Sequence, residues 1–115
     1  MKGKYKLFHK KILVLYLNIS KLIIVHPKLI HKLTDNEFAI LDELYFISTI
    51  EMLLPATKLN IEQLKAEMCT LFQKGYIKIY SQNEEIDITE EKLLSNFETY
   101  QYIASKKGLL AHNTL

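Results

Sequence analysis

The sequence predicts a mainly α domain with a small β-sheet (α+β): a three-helix core, a two-stranded antiparallel sheet and a short C-terminal helix, spanning residues 33–115. Three observations predict it. Capping-box spacing, a small polar residue followed three positions later by Glu or Gln, recurs at Thr34 and Glu37, at Ser48 and Glu51, and at Asn60 and Gln63. Each places acceptors on the backbone N–H groups that a helix start leaves unpaired. At Lys74-Gly75 the apolar period changes from that of a helix to two. The stretches 76–80 and 100–104 then share a β-branched, aromatic, alternating character.

For the first helix, Leu33 and Phe38 flank the Thr34 box at the spacing of a hydrophobic staple, and Phe38, Leu41, Leu44 and Tyr45 form its apolar face. Asp42 and Glu43 fall on its wet side. The second helix opens at Ser48 and is short, because Pro55 lacks a donor and clashes with the preceding turn. The third, residues 61–74, runs from the Asn60 cap to Lys74-Gly75. Ile61, Leu64, Met68, Leu71 and Phe72 form its core stripe, so Met68 and Phe72 are core residues.

Residues 76–80 form a strand that Ser81-Gln82-Asn83 turns, and residues 100–104 pair with it antiparallel. The segment 84–99 between them is either an elongated projection or a short helix holding Leu93, Leu94 and Phe97. Ser105 caps a last helix through Leu109 and Leu110. Of the tyrosines at 76, 80, 100 and 102, two face the core.

A 115-residue chain with 49% hydrophobic and 24% charged residues is an ordinary globular length and composition for one domain. The single Cys69 excludes an internal disulfide and fits a reducing, cytoplasmic setting. Charge is unevenly spread: residues 1–34 hold eight lysines and no carboxylate, while residues 35–115 hold seven lysines against thirteen carboxylates, a net −6. Arginine is absent, so the bidentate fork that reads guanine or clamps phosphate is missing.

Residues 1–32 read as a basic, partly apolar appendage outside the domain core. Lys2, Lys4, Lys6, Lys10 and Lys11 precede the apolar run 12–17, in the order of a secretory signal. After six apolar residues, Asn18, Ser20 and Lys21 interrupt it, and no small-residue cleavage site follows. A membrane span needs about 20 apolar residues, so none is expected here. Pro27 separates this segment from the domain.

Leu64, Leu71, Gly75, Tyr76 and Ile77, followed by Tyr102-Ile103-Ala104-Ser105-Lys106-Lys107-Gly108-Leu109, resemble the winged-helix branch of the helix-turn-helix proteins. The first group is similar to the end of a recognition helix running into a wing strand. The second is similar to the strand-to-helix segment written Y-x-L-T-x-K-G. Leu41-Asp42-Glu43-Leu44-Tyr45-Phe46 and Gly108-Leu109-Leu110-Ala111-His112-Asn113 further resemble a group of small uncharacterised bacterial proteins of this fold. The resemblance implies a two-stranded antiparallel wing, a DNA-facing third helix in the regulators of the family, and no particular activity.

The chemistry of enzymes is not signalled. His9, His26, His31 and His112 have no helical neighbours of ligand type, and Gly3, Gly75 and Gly108 are too scattered to cradle a phosphate. Glu84-Glu85 and Glu90-Glu91 read as solvated charge. No catalytic residue, metal or cofactor is expected. At 100° per residue the outward face of the third helix presents Glu62, Gln63, Ala66, Thr70 and Gln73, and the wing presents Gln82, Asn83, Glu84 and Glu85. Lys65 and Lys74 only flank that helix. An acidic domain lacks the cations that supply affinity for DNA, so the expected partner is a protein, with a homodimer open. The alternative is a DNA-binding transcriptional regulator whose cations come from the basic leader.

Overall fold

Thr34 opens the described chain as a complete cap. Its hydroxyl accepts from the Glu37 N–H at 3.1 Å and its own N–H donates to Glu37 Oε1 at 2.9 Å. The structure, a computed structural model, describes residues 33–114. The basic leader, including Lys2, Lys4, Lys6, Lys10 and Lys11, and the boundary before Leu33 lie outside the described residues. The fold is α+β, with five α-helices and a four-stranded antiparallel sheet among the described residues. Helix α1 (Asp35–Glu43) precedes β1 (Ser48–Thr49), α2 (Ile50–Thr57) and α3 (Ile61–Gln73). Strands β2 (Ile77–Ser81) and β3 (Glu84–Ile86) form a hairpin. Helix α4 (Glu90–Ser95), a 3-10 turn (Phe97–Thr99), β4 (Gln101–Ala104) and α5 (Lys106–Asn113) follow.

The sheet order is β1-β4-β2-β3, so β4 and β2 are central. Their predicted pairing is present, with Ile77 opposite Ala104 and Ile79 opposite Tyr102. Two strands go beyond the sequence expectation. Glu84–Ile86 joins the sheet because Gln82 (φ 51°) and Asn83 (φ 68°) both adopt positive φ, closing the two-residue turn that matches strand twist. Ser48–Thr49 pairs with Tyr102 and Gln101 at the other edge. That recruitment moves the second helix start by one residue. Thr49, not Ser48, accepts from Met52 N, and the Ser48 hydroxyl donates to the Glu43 and Phe46 carbonyls. Pro55 lies inside α2 and does not end it. The stop is Lys58, in the left-handed region at φ 62°.

Helix α3 is bounded as predicted. Asn60 and Gln63 form a reciprocal capping box. At the other end Gly75 (φ +74°) donates to the Phe72 carbonyl and Tyr76 to the Leu71 carbonyl, the paired bonds of a Schellman stop. Leu64, Met68 and Leu71 are fully buried. Each contributes roughly 1.5–3 kcal/mol by leaving water. Phe72 packs only partly against the core and Ile61 is exposed, so the stripe is narrower than the periodicity implies. Phe38 is exposed too. Its ring stacks on His112 of α5, 4.2 Å between centroids.

Leu41, Leu44, Leu53, Leu93 and Tyr102 complete a single core between the helices and one face of the sheet. Tyr76 and Tyr102 are the two inward-facing tyrosines, while Tyr80 and Tyr100 are partly exposed. Tyr102 donates its buried hydroxyl to the Phe97 carbonyl at 2.6 Å. Burial pushes its pKa well above the tyrosine range, with the neighbouring Tyr100 adding to the effect.

Candidate functional site

The α3 face is positioned by both of its neighbours. Toward α1, Asn36 donates to Glu67 at 2.9 Å, and Lys74 pairs with Glu37 at 2.6 Å. The Glu37 side chain is 1% exposed, so this pair fastens the start of α1 to the end of α3. Burial alone would raise the Glu37 pKa. The Lys74 ammonium and the Thr34 donors outweigh it, and the carboxyl is held below its ordinary value.

Toward α4, Gln73 donates to Glu90, and the Cys69 thiol donates to the same Glu90 oxygen at 3.3 Å. Burial, then the hydrogen bond to Glu90 and its negative charge, push the Cys69 thiol up. That is the opposite of what a nucleophile requires.

Of the five residues predicted to face outward, Glu62, Gln63, Ala66 and Gln73 are exposed and Thr70 is partly so, and Gln73 also donates to Glu90 of α4. Gln63 Oε1 accepts from the Asn60 N–H, and the Thr70 hydroxyl donates to the Ala66 carbonyl. Of the flanking cations, Lys74 is engaged by Glu37, and Lys74 and Lys107 both stand about 6 Å from the buried Tyr76 ring. The hairpin tip carries Gln82 and Asn83 in the turn, then Glu84 and Glu85, with Glu85 3.8 Å from Lys78. All four are exposed, as the sequence implies.

Between α3 and the segment from α4 to the 3-10 turn runs a groove of about 290 Å³. Ile61 and Leu94, more than a third exposed, line it together with Phe97, and Glu62, Lys65 and Glu98 stand at its rim. Sequence reasoning misses it because helical period puts Ile61 in the core and leaves the helix containing Leu94 as only one of two alternatives.

A polar cluster also joins the two segments that carry the finer resemblance. The Tyr45 hydroxyl donates to Asn113 Oδ1 at 2.7 Å and lies 2.8 Å from His112 Nδ1, while His112 Nε2 is 3.3 Å from Asp42 Oδ1. Sequence separations of 67 and 68 residues hide this cluster from local pattern reading. Among the described residues no group of three or more His, Cys, Asp or Glu side chains is placed to hold a metal ion. No described helix is long and apolar enough to cross a membrane. No family model, curated protein or solved structure matches this chain.

Proposed function

We propose that the chain is a non-catalytic binding module of winged-helix type, with α1, α2 and α3 as its helical core and the β2–β3 hairpin as its wing, and that its partner is a protein. The observation that carries this reading is the composition of the α3 face. Its open positions are Glu62, Gln63, Ala66, Thr70 and Gln73, with the half-buried Lys65 on its flank; its lysine at the C-terminal end is held by Glu37, and the hairpin tip beyond it bears Glu84 and Glu85. DNA phosphates would meet like charge at both elements that winged-helix regulators use. A protein partner finds a better match in the groove beside α3, where Ile61 and Leu94 offer apolar anchors inside a mixed polar rim.

The DNA-binding regulator remains the second reading, and the eight lysines of residues 1–34 favour it. Full-length protein titrated against a pool of random duplexes at several salt concentrations separates the two. We expect no enriched motif, and binding that falls with a log–log salt slope approaching about −7, the effect of up to eight counterions released by the leader. Enrichment of one sequence, lost on replacing Gln63 or Thr70, would establish a base-reading domain and overturn the proposal.

A further inference from the structure

Helix α2 shows water a face that its neighbours do not. Ile50 and Leu53 are buried and Leu54 packs against the core, while Glu51, Met52, Pro55 and Ala56 are all exposed. A surface helix ordinarily keeps its outer face polar. Glu51 is the only polar side chain of these four, whereas the outward face of α3 carries Glu62, Gln63 and Gln73. Met52, at 57%, is the most exposed large apolar side chain among the described residues. Three of the six such side chains, Phe46, Ile47 and Met52, fall within the seven residues 46–52. Exposed apolar side chains gathered in this way mark an interaction surface. None of these residues lines the groove beside α3.

Charge selects the occupant. Glu51 and Lys58 are both exposed, and neither enters an ion pair among the described residues. They stand seven positions apart, about two helical turns, so their backbone positions lie along one flank of the apolar strip, with the negative charge at the start of the helix and the positive charge at its end. That arrangement is complementary to its own reverse. We propose that the exposed face of α2 pairs with the α2 of a second copy, antiparallel about a two-fold axis. An axis level with the peptide between Leu54 and Pro55 sets Glu51 of each copy beside Lys58 of the other. The same register brings Met52 within one residue's rise, ~1.5 Å along the helix, of Ala56 of the second copy, a long side chain against a short one, and sets the two Pro55 rings together. A two-fold contact uses the same patch on both copies, so each favourable pair occurs twice. An eight-residue helix covers far less than the ~800 Å² per partner of a stable dimer, so the pair forms reversibly and at high protein concentration. The pairing uses a different surface from the α3 face and stands independently of what that face binds.

Sedimentation velocity of the full-length chain from micromolar to millimolar concentration tests the pairing, and the natural chain is expected to pass from monomer to dimer. E51K and K58E each oppose like charges twice, and each should raise the dissociation constant about tenfold, equivalent to about 1.4 kcal/mol, while keeping the circular dichroism of the natural chain. Mixed with each other, the two variants should associate about as tightly as the natural chain, because every lysine at these positions then faces a glutamate. M52Q keeps the length and helix preference of the side chain, and it should weaken association by about tenfold or more with no fall in the thermal midpoint, since Met52 is exposed in the monomer. A chain that stays monomeric at millimolar concentration would overturn the proposal. So would a dimer that keeps its affinity in E51K, K58E or M52Q, as would folded E51K and K58E that fail to associate with each other.

Discussion

Replacing Lys74 with Met keeps the length and helix preference of the side chain but removes the charge that compensates Glu37. The Glu37 carboxylate is 1% exposed, Lys74 is 28% exposed, and they meet at 2.6 Å. Breaking a buried ion pair by deleting one partner costs about 3–5 kcal/mol, because the remaining charge stays desolvated. Here Glu37 keeps the Thr34 N–H at 2.9 Å, and the pair already has partial access to water through Lys74. The expected loss for K74M is therefore about 2–3 kcal/mol at pH 7 out of a typical total of about 5–15 kcal/mol.

The pH dependence follows in sign. The folded pKa of Glu37 lies below its ordinary 4.5, so its contribution is complete above that value and disappears as pH falls through the folded pKa. In K74M the lysine's share of that depression is gone, and the gap between the two proteins narrows in acid. Urea denaturation of both full-length chains, followed by circular dichroism from pH 7 downward, measures it. A difference under about 0.5 kcal/mol at pH 7, the scatter of ordinary surface substitutions, or a gap that is constant with pH would refute the argument.

Two further expectations concern packing. Leu71→Ala should cost about 2–5 kcal/mol, and Phe72→Ala visibly less because that ring packs only partly against the core; equal losses in denaturant midpoint would show the stripe misassigned. Gly108→Ala should be more damaging than its single added methyl suggests, since a Cβ there would clash with the Tyr76 backbone carbonyl, which also accepts from Ser105 N at 2.9 Å. About 1–3 kcal/mol or more is expected, and a thermal midpoint unchanged from the natural chain would contradict that close approach.

Much of the helical half of this fold is legible in the amino-acid sequence, for a local reason. The Thr34 and Asn60 boxes and the Lys74-Gly75 stop are satisfied by bonds among residues no more than five apart, so their spacing carries the information. The same holds for Ile77 and Ile79, whose alternation needs only one buried face. The candidate face on α3 follows from helical period alone, as does the exposure of the hairpin tip.

What the tertiary structure decided involves partners distant in sequence. Ser48 has the spacing of a cap, yet Tyr102 draws it into the sheet and passes the cap to Thr49. Glu84 and Glu85 have poor strand preference, yet the Gln82-Asn83 turn sets them against Tyr80 and Ser81. Phe38 stacks on His112, and the exposed Gln73 also reaches Glu90. A cap or a period is settled by free energies among near neighbours. A strand edge, a ring stack or an interhelical hydrogen bond depends on which distant groups the folded chain brings within a few ångströms, and no local spacing encodes that choice.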